Sequence, residues 1–266
     1  MSTPLRVGRI VALNMYPIYH HLERLDGADF DFTDGLPAKL NRGVLEGTLD
    51  VSAMSSIEYA RNADRLQLLP VASISAAGAV DSIQVFSRVP FDRMRTVAVT
   101  PHSATSVALL RVLVGPDVAF EILTEPVADA LARVDGVLLI ADEALQGLRA
   151  GIAPHHTDLG ERWRNLTGLP MVFAVWAAGR DADDGARAAV AALAGALVAA
   201  KERFAADPEP VVLAATERFP FPADYIRAYF ARLSYGFGEP ERAGLTRFLE
   251  LARDAGELAA VPALAA

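Results

Sequence analysis

The chain has 266 residues, 52% of them hydrophobic and 22% charged, which suffices for one large domain or two smaller ones around a full core. Its net charge of −8, with no Lys/Arg cluster to offset it, excludes a basic nucleic-acid-binding face. The absence of cysteine excludes disulfides, iron–sulfur clusters, thiolate zinc sites and cysteine nucleophiles, and fits a reducing cytoplasm.

The N-terminal stretch MSTPLRVGRIVALN has neither the apolar run nor the small-residue cleavage site of a secretory signal. Residues 6–14 read as a short apolar strand ending at Asn14, and 17–25 as a helix with Pro17 near its first turn. Residues 29–33 alternate as a strand, 36–45 are helical, 49–54 form a strand, 55–62 a helix and 66–74 a strand. Gly78 breaks the chain before an apolar strand over 81–88. A second set follows: strand 96–100, helix 103–113, strand 118–122, helix 126–133, strand 135–140 and helix 142–149.

Residues 150–170 read as irregular, and 171–178 (MVFAVWAA) as a continuous apolar strand. Beyond Arg180 only helices are expected, over 184–204, 208–218, 222–233 and 239–255. The longest apolar stretch, 188–200, falls short of the roughly 18–20 residues that span a bilayer and reads as a buried Ala-rich helix. A soluble protein with no membrane partner is expected.

Alternating strands and helices, twice over, describe an α/β protein with two open sheets. The economical arrangement has two lobes joined by two hinge crossings, near 87–92 and 175–182. Residues 1–88 and 183–266 then form lobe 1, and 92–177 form an inserted lobe 2.

The candidate site comes from helix starts. In TVAVTPHSATSVALLRVL (96–113) a β-branched run stops at Pro101, which puts Ser103, Thr105 and Ser106 at a helix N-terminus. The first N–H groups there lack intrahelical partners and the macrodipole favours an anion, so a carboxylate can be held without a cationic side chain. Residues 49–60 repeat the design with Ser55 and Ser56, and Glu58 is spaced for a capping box with Ser55. Two such starts predict a cleft that grips an anionic ligand from both sides.

Asn14 closes a strand whose carboxyl end lines the crevice of an open sheet. Ser82 begins a strand near the proposed hinge, and Asp142 precedes a helix as an N-cap. Trp163 and Trp176 read as packing residues. The five histidines (His20, His21, His102, His155, His156) lack ligand spacing, and no GxxxxGK[ST], GxGxxG or GxSxG occurs, so no metal or cofactor is expected.

Several segments then carry a resemblance over nearly the whole chain. GRIVALNMYPIY (8–19), LDVSAMSSIEYAR (49–61), SISAAGAVDSIQVFSR (73–88), TPHSATSVALLRVL (100–113), TDLGERWRNLTGLPMVFAVWA (157–177) and LSYGFGEPERAGLTRFLE (233–250) resemble the chorismate dehydratases of the futalosine route to menaquinone. The resemblance implies the two-lobed fold of type II periplasmic solute-binding proteins, with a helical C-terminal region. It implies a cofactor-independent lyase in the cytoplasm that converts chorismate to 3-[(1-carboxyvinyl)oxy]benzoate and water. Asn14 and Ser82 fall on the family's active-site Asn and Ser. Ser55, Ser56, Thr105 and Ser106 fall on the hydroxyls of its two helix starts, and Ser103 and Asp142 join them as expected substrate contacts. Ala79 and Asp81, beside Ser82, depart from the family's pattern.

The proton acceptor is left open, the substrate's own side-chain carboxylate being one candidate. A related enzyme of the same route, which cleaves cyclic dehypoxanthinylfutalosine to a naphthoate, shares the fold, as does a non-catalytic solute-binding protein. The VALN and GAVDS contexts favour the dehydratase over the first, and the lack of an export signal disfavours the second.

Overall fold

A computed structural model describes residues 4–25, 29–180 and 184–264. β1 (Leu5–Ile10) runs into a 3-10 turn over Leu13–Met15 and then α1 (Tyr16–Leu22). β2 (Phe30–Gly35), α2 (Pro37–Leu45), β3 (Val51–Ser55), α3 (Ser56–Arg61) and β4 (Leu66–Ala76) follow. The chain then makes β5 (Ile83–Ser87), β6 (Thr96–Val99), α4 (Ala104–Val114), β7 (Ala119–Ile122), α5 (Val127–Arg133), β8 (Gly136–Ile140), α6 (Ala141–Ala150), β9 (His155–Asp158) and α7 (Leu159–Thr167). β10 (Met171–Gly179) precedes four helices: α8 (Asp184–Ala206), α9 (Glu209–Thr216), α10 (Ala223–Phe230) and α11 (Glu239–Asp254).

Two five-stranded sheets result, ordered β2-β1-β3-β10-β4 and β7-β6-β8-β5-β9. Each has three parallel strands, β2-β1-β3 or β7-β6-β8, extended by strands that pair antiparallel. The central strands β3 (VSAMS) and β5 (IQVFS) are buried at every position, as strands covered on both faces must be. The edge strand β2 (FDFTDG) has no buried residue. One apolar core runs from the first sheet through α4, α7 and the C-terminal helices, and a smaller one lies under Phe86, Val137 and Leu139.

The lobes are cut differently from the sequence-based expectation. β5 belongs to the second sheet and β10 to the first, so the chain crosses at 77–82 and 168–170 rather than near 87–92 and 175–182. Residues 181 and 182 of that expected hinge lie outside the described residues. The physical reason is that β10 fills the gap between β3 and β4, pairing from Met171 opposite Ala76 to Gly179 opposite Leu66. Its continuous apolar run therefore marks a central strand.

The supposedly irregular stretch 150–170 holds β9 and α7. β9 (HHTD) carries exposed histidines on an edge and shows no apolar alternation, so it left no periodic signal. Trp163 and Trp176 are buried, and the Trp163 indole donates to Pro170 O at 3.1 Å, pinning the second crossing. Among the described residues no helix is long and apolar enough to cross a membrane.

Candidate active site

The facing carboxyl ends of the two sheets enclose a cavity of about 250 Å³. Asn14, Ser55, Ser82, Ser103, Ser106 and Asp142 all line it, drawn together from both sheets. Its apolar walls include Ile10, Ile74, Ile83, Ile140 and Phe173. Among the described residues the lining contains no Lys or Arg, and its ionisable side chains are His102, Asp142 and Glu143. A larger hollow of about 620 Å³ lies alongside, between α2 and α4. Its floor is an ion network in which Arg61 bonds Glu58 and Glu257 and Arg111 reaches Glu257, and of the predicted site residues it holds only Ser103.

Asn14 sits in the 3-10 turn just past β1. Its carbonyl accepts the Tyr235 hydroxyl at 2.8 Å, while its side-chain Oδ1 is buried without a partner. An unpaired buried amide oxygen costs free energy unless a ligand or water satisfies it. Ser82 is 2% exposed and ends the first crossing. Asp81 takes φ +57°, uncommon for a residue with a Cβ, and Ser82 N–H donates back to Val80 O at 2.7 Å in a three-residue turn. Tyr229 packs beside Ser82; burial pushes its phenol pKa well up, with the Ser82 hydroxyl pulling the other way.

This turn is held from behind by Asp158. Its carboxylate accepts Val80 N–H at 3.0 Å, Asp81 N–H at 2.7 Å, the Gln84 amide at 2.6 Å and, as N-cap of α7, Glu161 N–H at 3.0 Å. Burial raises the Asp158 carboxyl pKa, and the backbone N–H groups of Glu161, Val80 and Asp81 oppose the rise. Gly160 allows the close fit, since a Cβ there would meet Gly78 O at 2.5 Å. Asp81 itself pairs with Arg232 of the helical tail at 2.8 Å.

The two hydroxyl-rich helix starts divide their labour. Ser103 caps α4, its Oγ accepting Ser106 N–H at 3.3 Å and meeting Ser106 Oγ at 2.8 Å, and both residues line the cavity. Ser55 also faces the cavity, but the predicted capping box is absent. Ser55 ends β3, opposite Ala174, and makes no side-chain cap, while Glu58 bonds Arg61 at 2.6 Å. Ser56 and Thr105 do not line the cavity. Ser56 Oγ donates to Val172 O at 2.8 Å, and Thr105 Oγ1 accepts Ile57 N–H at 3.3 Å.

Asp142 also departs from expectation. It does not cap its own helix, whose N-cap is Ile140 with no side-chain bond; instead Oδ1 accepts Leu13 N–H at 3.1 Å from the first sheet's side. Burial raises its carboxyl pKa, the Leu13 N–H opposes this, and Glu143 adds to it. Sequence reasoning missed Tyr229, Tyr235 and Asp158. The TDLGE spacing at 157–161 signals a helix cap at Asp158, but nothing local tells of its bonds to Val80 and Asp81.

The model of a family described as menaquinone biosynthesis matches residues 5–254. The chain belongs to that family. A chorismate dehydratase of Thermus thermophilus is 34% identical over 255 residues, covering 89% of this chain and 91% of that protein. One of Campylobacter jejuni is 30% identical over 172 residues, 63% of this chain and 64% of that protein. Among solved structures, an Archaeoglobus fulgidus protein superposes with a TM-score of 0.75 at 20% identity, covering 96% of this chain and 98% of that one. The alkanesulfonate-binding protein of Xanthomonas axonopodis pv. citri, bound to MOPS, gives 0.69 at 18%, covering 96% and 94%. The family member described here thus has the fold of periplasmic binding proteins, as the sequence resemblance implied.

Proposed function

We propose that this protein is a chorismate dehydratase, forming 3-[(1-carboxyvinyl)oxy]benzoate and water at the start of the futalosine route to menaquinone. The observation that carries the reading is Asn14, whose Oδ1 is buried without a partner, lining one apolar-walled cavity together with Ser55, Ser82, Ser103 and Ser106. The substrate ring packs among Ile10, Ile74, Ile83, Ile140 and Phe173. A carboxylate takes the N–H groups at the start of α4, which serves an anion without a cationic side chain.

The C3–H bond breaks first, and the proton passes to the substrate's own enolpyruvyl carboxylate. The electron pair delocalises into the ring carboxylate, the C4–O bond then breaks, and hydroxide leaves with a proton as water. The ring becomes aromatic, so the step balances without oxidant, reductant or metal. Asn14 and Ser82 are neutral at pH 7 and serve by orienting the transferring groups and bonding developing charge. The apolar walls exclude bulk water. Because chorismate is made inside cells, this reading places the protein in the cytoplasm.

The test is incubation with chorismate, followed by absorbance and proton NMR. The reading expects loss of the diene signals and growth of the meta-substituted benzoate. Chorismate returned unchanged at enzyme-level concentrations sinks it, and bound but unconverted chorismate points to a binding protein.

A further inference from the structure

The dipeptide Ala141-Asp142 touches both segments that carry the candidate catalytic residues. Ala141 adopts φ +52°, a left-handed conformation that is uncommon and strained for a residue with a Cβ. In that conformation its N–H donates to Ser82 O at 2.7 Å. One residue on, Asp142 leaves its own helix start uncapped and spans the cleft to accept Leu13 N–H at 3.1 Å. Leu13 opens the 3-10 turn, so its N–H is one of the orphan donors of a helix N-terminus. Ala12 precedes that turn as N-cap, and its methyl side chain offers no acceptor to satisfy it. Asn14 is the next residue, and its carbonyl is fixed from the far side by Tyr235.

We infer that Asp142 is a positioning residue, a latch across the cleft that caps the Asn14 turn in trans and so sets Asn14 against Ser82 when the two sheets approach. The inference rests on the chorismate dehydratase reading for its kinetics, not for its geometry. It also explains an acidic side chain on a cavity proposed for a dicarboxylate. The carboxylate stays because its acceptor oxygen is occupied by Leu13, although its charge opposes an anionic ligand. Asp142 therefore replaces the role of direct substrate contact expected from the sequence. In that conformation the adjacent residues Ala141 and Asp142 deliver one bond to each segment.

The test compares Asp142→Ala with Asp142→Asn in the full chain. The alanine variant lacks the acceptor, and misplacing Asn14 by even about 1 Å should lower kcat about 10²-fold. The asparagine variant keeps an acceptor oxygen without the charge, so it should recover most of the lost kcat and show a lower KM. A readout independent of turnover is hydrogen exchange, measured by mass spectrometry on peptides covering residues 11–18. Losing a cap should speed exchange there roughly fivefold in Asp142→Ala and leave it near wild type in Asp142→Asn. Equal loss of activity in both variants with exchange at 11–18 unchanged would place Asp142 on the reaction itself and overturn the latch. Unchanged exchange in the alanine variant overturns it as well. If wild type fails to convert chorismate, the functional reading falls, while the exchange comparison still decides the latch.

Discussion

Ser56 on α3 and Thr105 on α4 meet hydroxyl to hydroxyl at 3.3 Å, and both are essentially sealed from solvent. Thr105 accepts Ile57 N–H and Ser56 donates to Val172 O, so the pair ties the helix starts of the two halves to each other and to β10. Thr105→Val keeps the shape and leaves the Ile57 N–H buried without a partner. Its cost should be about 1–3 kcal/mol, seen as a lower Tm in thermal unfolding. The KM for chorismate should move less than in Ser106→Ala, a residue that lines the cavity; a larger KM effect for Thr105→Val returns Thr105 to the binding surface.

Asn14→Ala and Ser82→Ala each remove one small polar group and should leave Tm close to wild type. Losing a bond that strengthens in the transition state lowers kcat about 10²–10³-fold. Asn14→Asp should be worse still, because a carboxylate joins Asp142 and Glu143 on a cavity meant for an anion. Steady-state rates near wild type for both alanine variants remove these residues from the chemistry.

Asp158→Ala should act at a distance. Four donors lose their acceptor at once, from Val80, Asp81, Gln84 and Glu161. Buried donors stripped of a charged acceptor cost about 3 kcal/mol. A fall in Tm and in kcat together is expected, because the freed turn carries Ser82. Denaturant unfolding alongside kinetics checks both.

Gly244 of α11 lies where a Cβ would come within 2.0 Å of Pro170 O, the carbonyl that also takes the Trp163 indole N–H. Gly244→Ala must push α11 off the second crossing. The expected loss is about 1–3 kcal/mol, the range for overpacking, and a Tm equal to wild type contradicts the close approach.

Acid should weaken the fold through His20. Burial holds its imidazole neutral, and neighbouring Arg24, His21 and Arg218 add to this, pushing its pKa down to about 4. Unfolded histidine binds a proton near pH 6.5, so between that pH and about 4 the unfolded state takes up protons the folded state refuses. Stability from this source is complete above pH 6.5 and is lost as pH falls toward 4. His21, shifted down for the same reason, adds to the slope. Tm measured from pH 7 to 4 should decline, and His20→Gln should flatten the decline.

Much of this was legible from residue order. The β/α alternation and the all-helical tail emerge from apolar periodicity, and the hydroxyls at Ser103 and Ser106 from the physics of helix starts. Asn14 and Ser82 were reached through strand ends and motif resemblance. What escaped is long-range. Asp142 looks locally like a cap for the helix it precedes, and only the folded chain gives it Leu13, 129 positions away, as its donor. Ser56 and Thr105 have the same residue types as their cavity-facing neighbours, and one step along a helix start turned them inward. The crossings were displaced because an apolar strand announces burial but not which sheet it joins.

The place of β10 has a bearing on biosynthesis. β3 and β4 do not pair with each other; β3 pairs with β1 on one side, but its other edge, and the strand pairing of β4, wait for β10, made some 95 to 127 residues later. As the chain leaves the ribosome, the inserted sheet is complete by Asp158, whereas the N-terminal sheet still has an open central edge. The middle of this protein is therefore able to fold before its beginning, and the nascent N-terminal strands stay exposed to aggregation or chaperone capture until β10 arrives.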